Sequence, residues 1–279
     1  GGGHGTHVAW LVWALTNNNS WIASAARNSG NIQIKWYNYR FGQWDNDGSS
    51  NIMSLVAQAV QDGAKVINMS RWWGWYSSAD AQIFQAAYNM WVVLIAAAGN
   101  EWASQPWYPA RYPWVISVGA TTSAWTLASF SNKWADLLSP WSSIISTCIG
   151  WWYCNHSGTS MASPLAASVA ALLLSLQPSL SPDEIETILQ STTNPQWVIN
   201  ACNAVAQLLW NNPAVVCGDD TNTWGEIWEN CLWDSECKSW VCEEIIEAKC
   251  VSGKYWEKLA CKWFTTEEQC LGFKQDVWT

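Results

Sequence analysis

A hydroxyl becomes an acyl-transfer nucleophile when a rigid mount aims it, a base takes its proton and a donor waits for the oxyanion. Three short stretches of this chain carry residue types for those tasks. Gly158-Thr159-Ser160-Met161-Ala162-Ser163-Pro164 sets Ser160 where a glycine-bearing turn gives way to an apolar helix. Residues 166–174 behind it are apolar nearly all round, which predicts a buried helix and a firm mount. The N-terminus of that helix turns unpaired N–H groups and a partial positive charge toward Ser160, favouring an oxyanion beside it. By itself, a Ser in such a turn is equally an ordinary helix N-cap. His4-Gly5-Thr6-His7-Val8-Ala9 supplies a candidate base, although an isolated His is often a structural residue. Ala96-Ala97-Ala98-Gly99-Asn100 places a side-chain amide after a tight glycine, where an isolated Asn would be only a turn residue.

Standing in this order, the three motifs resemble those of the subtilisin-like serine proteases, the subtilases. The likeness extends to Val66-Ile67-Asn68-Met69-Ser70, to Tyr108-Pro109-Ala110-Arg111-Tyr112-Pro113 and to Val115-Ile116-Ser117-Val118-Gly119-Ala120, covering roughly residues 1 to 210. The resemblance implies a serine endopeptidase with His4 as general base, Ser160 as nucleophile, and Asn100 with the Ser160 N–H as oxyanion donors. It implies that Ser70, Arg71 and Trp72 on one side, and Ala97, Ala98 and Gly99 opposite, cradle the backbone of a polypeptide substrate. It also implies a triad Asp on a strand well upstream of the His, whereas this chain begins three residues before His4. The expectation is therefore an N-terminally truncated enzyme whose 279 residues, taken alone, are nearly inactive and fold poorly. The alternative is a catalytically inactive subtilase fold used for binding at the cell surface. An esterase of the α/β-hydrolase type fits less well, because the motif is G-T-S-M-A rather than G-x-S-x-G and the His precedes the Ser.

The elements that must position these residues alternate. Residues 32–39 read as a strand, 52–62 as a helix, 64–70 as a buried strand, 79–90 as a helix, and 92–98 and 115–120 as strands. The rhythm predicts an α/β fold, a mostly parallel sheet flanked by helices, with a ligand crevice beyond the carboxyl ends of the strands where Ser70 and Asn100 fall. His4 opens a helix with Val8, Leu11, Val12 and Leu15 on its inner face. Ser181-Pro182-Asp183-Glu184 has the form of a capping box with Pro at the first helical position, starting a helix over 185–191. Residues 198–201 resemble the start of a closing helix.

The formal charge of −9 offers no basic stripe, which argues against a nucleic-acid partner. The most apolar stretch, 165–176, is too short to span a bilayer. Ten cysteines point to disulfides and to a secreted or cell-surface protein. A division near Asn211-Asn212-Pro213 separates a peptidase domain, 1–211, from a small disulfide-rich module, 212–279, which holds Cys217, Cys231, Cys237, Cys242, Cys250, Cys261 and Cys270. The run from Glu229 to Cys242 looks like extracellular cysteine-rich repeats and suggests a tail that binds a surface partner; its irregular spacing fits zinc less well. Cys148 with Cys154 and Cys202 with Cys217 are plausible pairs. A propeptide is possible. No cofactor is expected, with calcium as a possible structural ion at no assigned site; Asp45 and Asp47 lie in a loop that lacks the Glu of an EF-hand. A metal held by His4, His7 and His156 is disfavoured for want of a fitting Cys or carboxylate.

Tryptophan is the anomaly, at 26 of 279 residues. Trp10, Trp72, Trp73, Trp102 and Trp141 stand where the resemblance wants glycine, and Trp replaces glycine badly where backbones crowd or φ is positive. The reading is that most of these are glycine codons, UGA in bacteria that read it so, translated as Trp. A genuine Trp-rich carbohydrate or membrane binder is the other account.

Overall fold

A computed structural model describes residues 3–14, 24–25, 32–37, 50–140, 144–150 and 153–210. Their elements run α1 (His4–Trp13), α2 (Ser50–Gln61), β1 (Val66–Met69), α3 (Ser78–Asn89), β2 (Val93–Ala97), β3 (Val115–Thr121), β4 (Leu137–Pro140), β5 (Ile144–Thr147), β6 (Tyr153–His156), α4 (Thr159–Leu176), α5 (Pro182–Ser191) and α6 (Ala201–Leu208).

Strands β1 to β4 form one parallel sheet in that order, and β5 pairs with β6 in an antiparallel hairpin. The period of two along a strand divides the side chains between the faces. Val93 and Ile95 of β2, with Ile116, Val118 and Ala120 of β3, pack against α4, α5 and α6. Leu94 and Ala96 face the other way, against Phe84 and Ala87 of α3 and Met53 and Val56 of α2. A sheet covered on both faces explains why β2 reads as one apolar run rather than an alternation. Helix α4 is long and apolar enough to cross a membrane by length and composition, but it lies against the sheet, most of it buried, as a core helix does. Val8 and Leu11 of α1 pack on Met161 and Leu165 of α4 and Ile144 of β5, bringing the His4 helix beside the Ser160 helix.

The parallel α/β expectation holds, and so does the capping box: Ser181 Oγ accepts from Glu184 N and Glu184 Oε2 accepts from Ser181 N. The segment expected as a first strand does not form one within residues 32–37, which run without ladder hydrogen bonds; 38–39 lie outside the described residues. Strands β4, β5 and β6 carry no sequence signal strong enough to have been anticipated, being four residues each. The 42–48 loop, Trp141 and the whole 212–279 module also lie outside the described residues.

Among the described residues, six other than glycine hold a left-handed backbone, and all six are tryptophan: Trp91 (φ 63°), Trp102 (55°), Trp125 (61°), Trp134 (56°), Trp197 (64°) and Trp210 (54°). Trp10 sits inside α1, and neither it nor Trp72 or Trp73 has a positive φ.

Candidate active site

The site forms where β1 and β2 end and α4 begins, the edge that a parallel sheet leaves open for ligands. Gly158 caps α4, Ser160 lies in its first turn, and Met161 N donates to Gly158 O at 2.9 Å. Gly158 is at φ 150°, and a Cβ there would stand 3.0 Å from Asn100 Nδ2; the glycine is what lets the Asn100 amide close on the helix start.

Asn100 is held by Thr159, the residue before Ser160. Its Oδ1 accepts from Thr159 N at 3.0 Å and from Thr159 Oγ1 at 2.9 Å, leaving the Nδ2 donors beside the first turn of α4. Thr159 Oγ1 accepts in turn from Gly99 N at 3.2 Å. Buried Asn132 fixes the rest of this arm: its Nδ2 donates to Ala98 O at 2.9 Å, and its Oδ1 accepts from Glu101 N and Ala103 N.

The other arm holds Ser160 by its backbone. Pro164 has no N–H, so the Ser160 carbonyl, four residues earlier in α4, loses its helical partner. Ser70 Oγ donates to that carbonyl at 2.8 Å, and Ser160 Oγ donates to Ser70 O at 3.3 Å. Asn68 Nδ2 donates to Ser70 Oγ at 3.0 Å, and Ser163 Oγ donates to Asn68 Oδ1 at 2.5 Å. The network runs from Ser163 through Asn68 and Ser70 back to Ser160, so β1 and α4 are locked together at Ser160. Thr159, Asn132, Asn68 and Ser163 are the positioning residues that sequence reading passed over, although Thr159, Asn68 and Ser163 stood inside motifs already in view.

His4 begins α1, and its pKa lies below the usual imidazole value through desolvation and then through the neighbouring His156. The Ser160 hydroxyl is engaged with Ser70 O rather than with His4. Among the described residues no carboxylate acts on His4. His7, one turn on, is fully buried. Its Nε2 reaches Ile144 O at 2.9 Å and Cys154 O at 3.2 Å, while its O accepts from Ser146 Oγ, tying α1 to the β5–β6 hairpin. Burial first, and His156 second, lower its pKa to about 4. His156 packs edge-on at 4.5 Å between ring centroids, so it belongs to the site's surroundings rather than to a detached polar loop.

His7, Cys154 and His156 bring ligand-type atoms within 4.8 Å of one another. Cys154 is bridged to Cys148, the pair the sequence suggested, and His7 Nε2 is committed to two carbonyls, so this trio is not a free donor set. The second suggested pair has Cys217 outside the described residues.

The residues expected to cradle substrate are unequal. Ser70, Arg71 and Trp72 line the β1 arm with intermediate exposure. Trp72 Nε1 donates to Glu101 Oε1 at 2.9 Å, bridging to the β2 arm, and Glu101 Oε2 accepts from Asn100 N. Trp73 does not obstruct a cleft: it is buried with Phe84, Ala110 and Tyr112. Ala97 and Ala98 are fully buried, with Ala98 N donating to Val118 O and Ala98 O accepting from Asn132 and Trp107. That arm offers a wall more than a set of free backbone partners.

Ser160 thus stands in the first turn of α4, with the Asn100 amide beside it and His4 on the adjoining helix. A family model described as the Subtilase family matches residues 1–215. The chain belongs to the subtilase family. It is 41% identical over 201 residues to Subtilisin DY of Bacillus licheniformis, covering 69% of this chain and 70% of that protein. It is 40% identical over 177 residues to the Thermophilic serine proteinase of Bacillus sp. (strain AK1), covering 62% of this chain and 42% of that protein. Among solved structures this subtilase is similar to the Prenylagaramide maturation protease PagA, with a TM-score of 0.62, 26% identity, and 76% and 84% of the two chains covered.

Proposed function

We propose that this subtilase is a serine endopeptidase that cleaves polypeptides through an acyl-enzyme at Ser160. His4, whose pKa is lowered by desolvation and by His156, takes the Ser160 proton as Oγ attacks the scissile carbonyl and returns it to the leaving amine. The oxyanion that forms is met by Asn100 Nδ2 and the Ser160 N–H, one of the first-turn donors of α4 that has no helical acceptor. The substrate backbone lies between Ser70-Arg71-Trp72 and Ala97-Ala98-Gly99. The observation that carries this reading is the double clamp on the nucleophile: Thr159 aims Asn100 at the helix start while Ser70 holds the Ser160 backbone. Nothing in the scheme calls for a cofactor. Export fits the ten cysteines and the Cys148–Cys154 bridge. The scheme also needs a carboxylate behind His4, and the family resemblance assigns it to an upstream strand.

The test is covalent labelling of the full gene product with a fluorophosphonate. The expected result is a single adduct on Ser160, abolished by Ser160→Ala and strongly slowed by His4→Ala. A folded full-length protein that neither labels nor cleaves casein would overturn the peptidase reading in favour of a binding protein on the same fold.

A further inference from the structure

The left-handed tryptophans are not scattered at random among the turns. Helix α2 ends in a Schellman motif: Gly63 N donates to Val60 O at 3.0 Å, Ala64 N donates to Ala59 O at 3.0 Å, and Gly63 has φ 83°. Helix α3 ends in the same motif, with Trp91 N to Tyr88 O at 2.8 Å and Val92 N to Ala87 O at 3.2 Å, and Trp91 stands where Gly63 does. Trp210 takes the corresponding place after α6, donating to Gln207 O at 3.2 Å.

Two further positions match each other. Trp125 N donates to Thr122 O while Thr122 N donates to Thr126 O; Trp197 N donates to Asn194 O while Asn194 N donates to Val198 O. Both are three-residue turns whose last residue is left-handed, a place for glycine. Trp102 and Trp134 are left-handed in loops. A Cβ makes this conformation costly, and the residues that tolerate it best after glycine are Asn and Asp, not a bulky aromatic. At five of the six, burial does not compensate: Trp134 is 85% exposed, Trp210 95%, and Trp91, Trp102 and Trp197 are exposed too, while Trp125 is half-buried. Tryptophan makes up 26 of 279 residues, too few to take all six places by chance.

We propose that the natural polypeptide carries glycine at positions 91, 102, 125, 134, 197 and 210, encoded there by UGA and read as glycine by the cells that make it. UGA is one base from the tryptophan codon UGG and one base from the glycine codon GGA, so a single ambiguous codon accounts for all six. The backbone thereby separates these positions from Trp10, whose helical φ makes no such demand. The inference does not depend on what the active site does.

Peptide mass spectrometry of the protein from its natural source, alongside its gene sequence, tests the proposal. Glycine masses over UGA codons are expected at all six positions. UGG codons, or tryptophan masses at these positions, would overturn it. The physical half has its own test: the full chain made with six glycines should melt at a higher temperature than the chain made with six tryptophans. An equal or lower midpoint would remove the structural basis of the assignment.

Discussion

Strands β1 and β2 lie side by side in parallel register, Val66 opposite Val93 and Met69 opposite Ala96. Each is entered from a Schellman corner and left at the active site, and they differ at both ends. At the entry the hydrogen bonds are the same, and Gly63 in one corner faces Trp91 in the other. At the exit the jobs diverge: Ser70 grips the backbone of Ser160, and Asn100 presents an amide to the first turn of α4. The lesson is that residue identity at the exits reports chemistry, whereas at the entries it reports only what the backbone requires, and there the two corners disagree.

The exits should differ most in activity. In the proposed scheme Asn100→Ala removes a donor used only as the oxyanion forms, so kcat should fall about 10² to 10³-fold with KM little changed, the size measured for this kind of donor in subtilisin itself. Steady-state kinetics on the full gene product check this. A rise in KM at constant kcat would move Asn100 from the oxyanion to ground-state binding.

Such kinetics need an intact fold, and acid limits it. His7 has a folded pKa of about 4 against an ordinary value of 6.5. Between those values the unfolded chain binds a proton that the folded chain refuses. Stability from this group is therefore complete above about pH 6.5 and lost as pH falls toward 4, a total of about 3 kcal/mol at most. Urea midpoints measured across that window should fall with acid in the parent and fall less in His7→Gln. Equal slopes would show that some other group sets the acid limit.

The placement of the exits was legible in the sequence and the entries were not. Ser160, His4 and Asn100 sit in motifs that fixed where they fall in the fold, and the apolar run of β2 announced a strand buried on both faces. The four-residue strands β4 to β6 were silent because so short a stretch carries hardly two periods of alternation; β1, equally short, was read because a helix pattern over 52–62 leads into it. Asn132 was silent because its value lies in bonds to Ala98, Glu101 and Ala103, some thirty residues away in the chain. Of the tryptophans that stand where the resemblance wants glycine, Trp102 is left-handed, Trp10, Trp72 and Trp73 are not, and Trp141 lies outside the described residues. Turn type depends on φ, and φ cannot be read from a residue whose identity is itself in question.

Exchanging the two corners isolates that point. A Cβ at Gly63 would meet nothing within 4 Å, so Gly63→Trp tests conformation rather than space. It should destabilise the protein by about 1–2 kcal/mol, and Trp91→Gly should stabilise it by a similar amount. Chemical denaturation reads both. A stabilising Gly63→Trp, or a destabilising Trp91→Gly, would mean that the indole packs to advantage and that the corners are not equivalent.

The smallest effect probes the β1 exit. Ser70→Ala leaves the Ser160 carbonyl without a donor because Pro164 cannot supply one, at a cost of about 1 kcal/mol in transition-state stabilisation. Pro164→Ala returns an N–H four residues along α4 and so gives that carbonyl a helical partner. If Ser70 works by holding Ser160, its removal should cost several-fold in kcat in the parent and clearly less in the Pro164→Ala background, with fluorophosphonate labelling rates following kcat. An equal loss in both backgrounds, concentrated in KM, would instead assign the Ser70 hydroxyl to the substrate, and β1 would then resemble a binding edge more than a clamp.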